Sequence, residues 1–319
     1  MPERRNFHIG SFAYTAGAKV TMDVPREGVI RKITLRLRFT ITTTTSVLAA
    51  PRFQALARLI RNLSFNVNGR DTVLSASGEG LVALARTDRG IIPDGMEDTV
   101  VLTAAPTTTA YDVNIPVYRM LPRSMSPLLC ADDLRRASLA TLELTWGSIS
   151  DIVNTVGGGV LSAVSCDVAV EYMVGLPNEA QFNVRQISEQ EESYSAAGDL
   201  DITVAGRTGL DIHSLHFIAT DDYVGSNDLI TQLKLQSGAG KIWQDRRSGE
   251  LQGTNKEEIG LEAILAGLWY MPVLLMGDPR TAIRASDQPA DLLARLTVAV
   301  GSATERIKTV TEAVRPLVA

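Results

Sequence analysis

The segment Ala140-Thr141-Leu142-Glu143-Leu144-Thr145-Trp146-Gly147-Ser148 decides how the whole chain is read. Ala140, Leu142, Leu144 and Trp146 alternate with Thr141, Glu143 and Thr145. Successive side chains of a strand point to opposite faces, so a period of two describes a strand with one buried and one wet face. The same period recurs along the chain. Ile33, Leu35, Leu37, Phe39 and Ile41 oppose Lys32, Thr34, Arg36, Arg38 and Thr40. Leu63, Phe65 and Val67 alternate with Asn62, Ser64 and Asn66 before an Asn68-Gly69 turn. Cys166, Val168, Val170 and Tyr172 form a third such face, and Leu292, Ala294, Leu296, Val298 and Val300 a fourth. Strands of this kind, separated by Thr-, Gly- and Pro-rich turns, predict antiparallel sheets and an all-β chain.

Helical periods are few. Pro51 to Ile60 carries Phe53, Leu56, Ala57 and Ile60 at helical spacing, and Gly78 to Thr87 carries Leu81, Leu84 and Ala85. Thr254-Asn255-Lys256-Glu257 matches a capping box, which predicts a third helix continuing through Ile259, Ala263 and Ala266. None of these alternates with strands as a parallel α/β sheet requires.

The opening segment also has an echo, Ala294-Arg295-Leu296-Thr297-Val298-Ala299-Val300-Gly301-Ser302. Upstream of each copy stands an X-Pro-Val strand, Ile115-Pro116-Val117-Tyr118 in one half and Met271-Pro272-Val273-Leu274 in the other. Leu121-Pro122-Arg123 and Asp278-Pro279-Arg280 follow them. Earlier still, Leu59-Ile60-Arg61-Asn62-Leu63-Ser64-Phe65 corresponds to Leu229-Ile230-Thr231-Gln232-Leu233-Lys234-Leu235. In both halves a short helix falls between that strand and the X-Pro-Val strand. Pro116 and Pro272 are 156 apart, Gly147 and Gly301 154 apart. Constant spacing with matching strand phase predicts two similar β domains of about 150 residues in tandem. The expected division is residues 1–22 as an N-terminal arm, 23–176 as the first domain and 177–319 as the second. Gln186 to Ser195, with Glu189, Glu191 and Glu192, is expected to connect them as a segment or loop. The stretch Ala303 to Val314 fits either a helix, from Ile307, Val310 and Val314, or a strand, from its place after Gly-Ser.

Composition excludes several classes. Net charge is −5, with 31 Lys plus Arg against 36 Asp plus Glu, which argues against a dedicated nucleic-acid binder. Two cysteines rule out a disulfide framework or a multi-cysteine zinc module. No apolar stretch follows Arg4-Arg5 as an export signal needs, and Ala263 to Gly277 falls short of the roughly 20 residues of a spanning helix. The expectation is a soluble protein of a reducing compartment.

Chemistry is scarce. Only His8, His213 and His216 could serve as imidazole bases, and no Gly-x-Ser-x-Gly elbow occurs. His213 and His216, three apart in a strand, are expected on opposite faces, which argues against a shared metal. Asp132-Asp133 and Asp221-Asp222 offer hard oxygen ligands of the kind calcium takes, though adjacent acids in loops are commonly just solvated. Gly157-Gly158-Gly159 lacks the Lys-Ser/Thr that completes a phosphate loop. One basic feature stands out against the acidic chain: Arg26, Arg31, Lys32, Arg36 and Arg38, with Arg4-Arg5 upstream. It reads as a solvated sheet face or as a surface for docking to a subunit or an anionic surface.

The arm Arg5-Asn6-Phe7-His8-Ile9-Gly10-Ser11, the stretch Val24-Pro25-Arg26-Glu27-Gly28-Val29-Ile30-Arg31-Lys32-Ile33, and Leu59-Ile60 through Asn68-Gly69 resemble the N-terminal domain of double jelly-roll major capsid proteins. The type is that of tailless icosahedral, corticovirus-like bacteriophages, and the tandem repeat extends the resemblance over most of the chain. The resemblance implies two tandem eight-stranded jelly rolls with a few short inserted helices, and no enzyme activity. It further implies homotrimers forming pseudo-hexameric capsomers that tile a virion shell assembled in the host cytoplasm. The implied partners are the chain itself, penton or vertex and minor capsid proteins, and an internal viral membrane, with no specific nucleic acid. No cofactor is implied; some relatives bind structural calcium, without a motif that assigns ligands here. Arg4, Arg5, Phe7, Arg26, Arg31 and Lys32 are the expected assembly or membrane-proximal contacts, with the arm from Pro2 to Lys19 at the capsomer base. Loops such as Asp88 to Thr109 and Ser148 to Ser162 would form towers or side contacts. The competing class is a carbohydrate-binding or adhesin β-sandwich of a spike or fibre. That class usually shows an aromatic-rich face, whereas 3 Trp, 7 Tyr and 7 Phe are scattered here. An enzyme on the same sandwich ranks third, given three histidines.

Overall fold

The computed structural model describes residues 3–43, 49–96, 107–121, 130–155, 159–177, 182–205, 210–221, 224–259, 265–273, 283–284, 287–288, 290–299 and 305–316. Two compact units divide between Arg185 and Gln186. In the first, the long strands are β1 (Glu3–Ala13), β2 (Lys19–Asp23), β3 (Val29–Thr43), β4 (Ile60–Val67), β5 (Asp71–Ala76), β6 (Thr107–Tyr118), β7 (Ala140–Trp146) and β8 (Val160–Val174). They form one sheet in the order β1-β8-β3-β6 and another in the order β5-β4-β7-β2. That strand order is a jelly roll.

The second unit repeats the plan. Its strands are β9 (Asn183–Ser193), β10 (Gly198–Ala205), β11 (Asp211–Asp221), β12 (Ile230–Ser237), β13 (Ile242–Arg247), β14 (Leu268–Pro272), β15 (Leu292–Val298) and β16 (Arg306–Pro316). The sheet orders are β9-β16-β11-β14 and β10-β15-β12-β13, each label of the first unit raised by eight. Ile115-Pro116-Val117 lies in β6 and Met271-Pro272 ends β14, and the two alternating segments form β7 and, as far as Val298, β15, as the repeat requires; Leu274 and Val300 to Ser302 lie outside the described residues. A helix stands between the fifth and sixth strands of each unit: α1 (Gly78–Arg89) in the first and α3 (Ser248–Ile259) in the second. A single turn, α2 (Ile149–Ile152), follows β7.

Alternation sets the cores. Ile33, Leu35, Leu37, Phe39 and Ile41 of β3 are buried with Leu142, Leu144 and Trp146 of β7 and Leu63, Phe65 and Val67 of β4. The second core gathers Leu233 and Leu235, Leu292, Ala294 and Leu296, Phe217 and Trp269. The Asn68-Gly69 turn is built with both residues at positive φ, +55° and +69°, the form that matches the twist of hairpin strands. Helix α1 is capped by the Ser77 hydroxyl, which accepts from the Gly80 N–H at 3.3 Å, and ends on Gly90 at φ +68°. Its first residue, Gly78, has no room for a side chain: a Cβ there would overlap the Ala57 carbonyl. Gly78→Ala is therefore expected to destabilise the first unit by about 1–3 kcal/mol through overpacking, measured as a lower denaturation midpoint in urea.

Several local expectations differ from the structure. Glu3–Ala13, expected as arm, pairs with β8 over its whole length, from Glu3 opposite Val174 to Ala13 opposite Ser165. The period of Phe7 and Ile9 was masked by charged neighbours. The unit boundary lies at 185/186 rather than 176/177, because the chain stays attached to the first unit until Arg185 is buried there. Gln186 to Ser193 is strand, not connector: Glu189 and Glu191 are cross-strand partners of Lys308, 3.6 Å each. The Pro51–Ile60 helix reduces to a 3-10 turn at Ala57–Leu59; its apolar residues are buried on several sides, which mimics a helical stripe. Helix α3 starts at Ser248, and Thr254 lies inside it, its hydroxyl donating to the Glu250 carbonyl at 3.1 Å. The continuation through Ala263 lies outside the described residues. Ala303 to Val314 resolves toward strand over its described part, as β16.

Candidate functional site

Of the basic residues singled out in sequence, Arg31, Lys32, Arg36 and Arg38 lie on β3 and Arg4 and Arg5 on β1, and the sheet treats them unequally. On β3, Arg36 meets Asp112 of β6, Nη2 to Oδ2 2.5 Å, and Arg38 meets Asp167 of β8. These pairs neutralise two of the four cations on β3. The Arg36 partnership holds the Asp112 carboxyl below its ordinary range, the hydrogen bond being the largest cause.

At the other end of the sheet the balance changes. The β8–β3 ladder shifts register between Glu171 and Tyr172: Glu171 opposes Lys32, but Tyr172 opposes Ile30. An extra residue in one strand re-aims a side chain, and here it brings Arg31 and Lys32 to the same carboxylate. Arg31 Nη1 lies 2.9 Å from Glu171 Oε1 and Lys32 Nζ 3.7 Å from Oε2. Arg4 of β1 adds a third cation, Nη2 to Oε2 2.5 Å. Glu171 is 4% exposed, Arg4 59%. Three cations thus share one carboxylate, leaving a positive surface cluster.

The other expected contacts lie elsewhere. Arg5 pairs with Glu3 at 3.1 Å. Phe7 packs edge-on against Tyr172, ring centroids 5.7 Å apart. Arg26 donates to the Ala137 and Ser138 carbonyls at 2.8 and 2.7 Å, tying its loop to the start of β7. Glu171 was missed in sequence because nothing local marks an outward acid as the hub of two neighbouring strands.

The acidic pairs and histidines also find places. Asp132, buried, accepts from Arg119 Nε at 2.5 Å, and Asp133 accepts from Arg135 Nη2 at 2.7 Å. Arginine therefore occupies the oxygens that were weighed for calcium. Burial pushes the Asp133 carboxyl up, but hydrogen bonds from Arg135 outweigh it and leave the pKa below its ordinary 3.8. A folded-state pKa depressed in this way contributes stability above pH 4 that is lost as pH falls through the folded value. Asp133→Asn is expected to flatten the pH dependence of Tm below pH 4, while leaving its slope near neutrality unchanged, in melts from pH 2 to 7.

His213 and His216 do not point apart. A register shift between Ile212 and Ser214 of β11 brings both to Glu312 of β16, His216 Nε2 at 2.7 Å from Oε1 and His213 Nδ1 at 3.7 Å from Oε2. Ser214 Oγ lies 3.4 Å from the same Nε2. Serine and carboxylate meet one ring nitrogen, so the imidazole cannot relay a proton between them as a nucleophilic triad requires. Ser214 and His216 are also fully buried. Among the described residues no three His, Cys, Asp or Glu side chains are placed to hold a metal ion, and no helix is long and apolar enough to cross a membrane. Burial pushes the Cys166 thiol up to about 12, so it stays protonated and unreactive.

No protein-family model and no curated protein matches the sequence. Solved structures do match. The STIV MCP superposes with a TM-score of 0.75 at 15% identity, covering 98% of this chain and 96% of its own. PBCV-1 VP54 gives 0.67 at 11% identity, with 100% and 98% covered. The major capsid protein of bacteriophage PM2 gives 0.62 at 13% identity, again with 100% and 98% covered. At these identities the likeness is one of fold, and it runs end to end: the chain shares the double jelly roll of these proteins.

Proposed function

We propose that the chain is the major capsid protein of an icosahedral virus, a structural subunit without enzymatic activity. The observation that carries this is the tandem repetition of the whole jelly-roll strand order, with a helix in the same connection of both units. End-to-end coverage of capsid proteins by fold supports it, as does the burial of the His216–Glu312 contact away from solvent. Two similar domains per chain give six similar blocks in a homotrimer, which fits a pseudo-hexameric capsomer tiling a closed surface. Association with vertex and minor capsid proteins, residence in the virion, and assembly in the host cytoplasm follow from that role. A bacteriophage source rests on the end-to-end match to the PM2 protein, and an internal membrane on the sequence resemblance to corticovirus-like subunits.

The Arg4–Arg31–Lys32 cluster is the surface we assign to contact with an acidic neighbour. Light scattering on the size-exclusion peak tests the reading: the expected mass is three times 34.4 kDa, and electron micrographs of concentrated protein are expected to show hexagonal capsomers or shells. A glycan-binding monomer that never forms trimers would overturn it in favour of an adhesin sandwich.

A further inference from the structure

The two units treat one edge of the jelly roll differently. In the first, β5 lies beside β4; in the second, β13 lies beside β12 at the same place in the strand order. The match holds residue by residue. Leu63 and Phe65 of β4 oppose Ala76 and Leu74, and their counterparts Leu233 and Leu235 of β12 oppose Arg246 and Gln244. Both ladders then slip, between Phe65 and Asn66 and between Leu235 and Gln236, which leaves Val73 and Trp243 as the extra residues of matching bulges.

The outer side of β5 is covered. Strand order runs on from β5 to β9, whose chain counts with the first unit as far as Arg185. Arg119 Nη2 donates to the Val73 carbonyl at 3.2 Å and to the Arg185 carbonyl at 2.5 Å, so the head of β9 lies alongside. Val73, Leu74 and Ala76 are buried accordingly. Beyond β13, by contrast, no strand follows among the described residues. Trp243 and Gln244 stand where β5 has Val73 and Leu74 and are only half-buried, while Arg246, in the place of Ala76, is exposed. Trp146 and Trp269 are wholly buried, which leaves the tryptophan of this edge as the partly open one. An open edge offers a row of backbone N–H and C=O groups to any strand that arrives, and native proteins pair, cover or blunt such edges. The chain carries one fitting strand with an open side of its own. Strand β1 is the counterpart of β9, eleven residues in each, and no strand follows it on the side away from β8 among the described residues.

We propose, on the footing of a trimeric capsomer, that the outer edge of β13 receives β1 of a second copy of this chain, as β5 receives the head of β9. Main-chain pairing at the edge would supply affinity and side chains specificity, with Trp243 as the aromatic anchor that becomes buried. The two edges differ, so the contact is head-to-tail: each copy gives β13 to one neighbour and β1 to the other. A contact of that kind closes into a ring when its rotation divides the full turn evenly.

The test uses the full-length chain carrying Arg5→Cys and Ile242→Cys together. Arg5 is the third residue of β1, as Arg185 is of β9, and Ile242 adjoins Trp243. Both positions are exposed, and the native thiols are buried. A short bis-maleimide is expected to link the double variant into covalent dimers and trimers on a denaturing gel, while either single variant stays at the mass of one chain. Linking by a single variant would show that like edges meet, and would overturn the head-to-tail seam. Trimers in which the double variant links no chains would overturn the seam and leave the capsid reading standing; a chain that stays monomeric at every concentration would overturn both. Should a cysteine variant fail to fold, acrylamide quenching of the native chain decides. Tryptophan emission is expected to be less quenched in the trimer than in the diluted monomer, and the difference to vanish in Trp243→Phe. Equal quenching in the two states, or a difference that survives Trp243→Phe, would place the seam elsewhere.

Discussion

Replacing Arg185 with methionine is expected to lower the unfolding free energy of the first unit by about 3–5 kcal/mol, the range seen when one partner of a buried ion pair is removed. Arg185 is 1% exposed. Its Nη1 and Nη2 donate to the two Asp88 oxygens at 2.9 and 2.8 Å, and Nη1 also reaches the Tyr118 and Met120 carbonyls at 2.8 and 3.2 Å. Methionine fills much of the volume but leaves Asp88 and two carbonyls without their donor. The backbone carbonyl of Arg185 accepts in turn from Arg119 Nη2 at 2.5 Å, and Arg119 holds Asp132. The chain is therefore fixed to the end of α1 and the end of β6 at the last residue before the second unit begins. Urea unfolding followed by fluorescence measures the loss. An Asp88→Leu/Arg185→Met double variant is expected to recover part of it, because no buried charge is then left alone. A loss under 1 kcal/mol for the single variant would show that the segment is held by packing instead.

Trp146→Ala is the second large effect, about 3–5 kcal/mol from the lost buried surface and the cavity left behind. The indole is fully buried at the end of β7. Its Nε1–H donates to the Ala13 carbonyl at 2.8 Å, and Tyr14 packs edge-on against the ring, centroids 5.2 Å apart. One side chain thus fills the core and fastens the corner where the chain leaves β1. Trp146→Phe is expected to restore the packing but not the hydrogen bond, and so to fall between the two in thermal melts. An Ala variant as stable as the native chain would mean that this end of the core collapses freely around the gap.

What could be read in sequence and what could not divides along a physical line. Alternation over Ile33 to Ile41 and Ala140 to Trp146 was legible because each strand buries one face, and burial writes a period of two into any such segment. The tandem repeat was legible for the same reason, doubled. Register shifts were not. The bulge that turns both Arg31 and Lys32 onto Glu171, and the one that turns both His213 and His216 onto Glu312, reverse the facing that strict alternation predicts. Nothing in the local residues announces them. Strand β9 was hidden by Glu189, Glu191 and Glu192, whose polarity suggests a loop until Arg306 and Lys308 are found across the ladder. The acid pairs were visible as motifs, but Arg119, the partner of Asp132, lies too far along the chain for any local pattern to announce it. Of the six expected contact residues, Arg4, Arg31 and Lys32 came together. Their meeting point depends on a carboxylate more than 130 residues downstream of either strand β3 cation, a distance that only the fold can close.

Both thiols of the chain, Cys130 and Cys166, are wholly buried, and for Cys166 the thiolate that would react with a maleimide or an oxidant is withheld at neutral pH. The native protein therefore offers a blank background for chemistry at sulfur. A cysteine placed at an exposed position such as Val224 or Ile242 would be the one site to take up a dye, a crosslinker or a cargo, and any particle built from such subunits would carry its labels in a fixed number per chain.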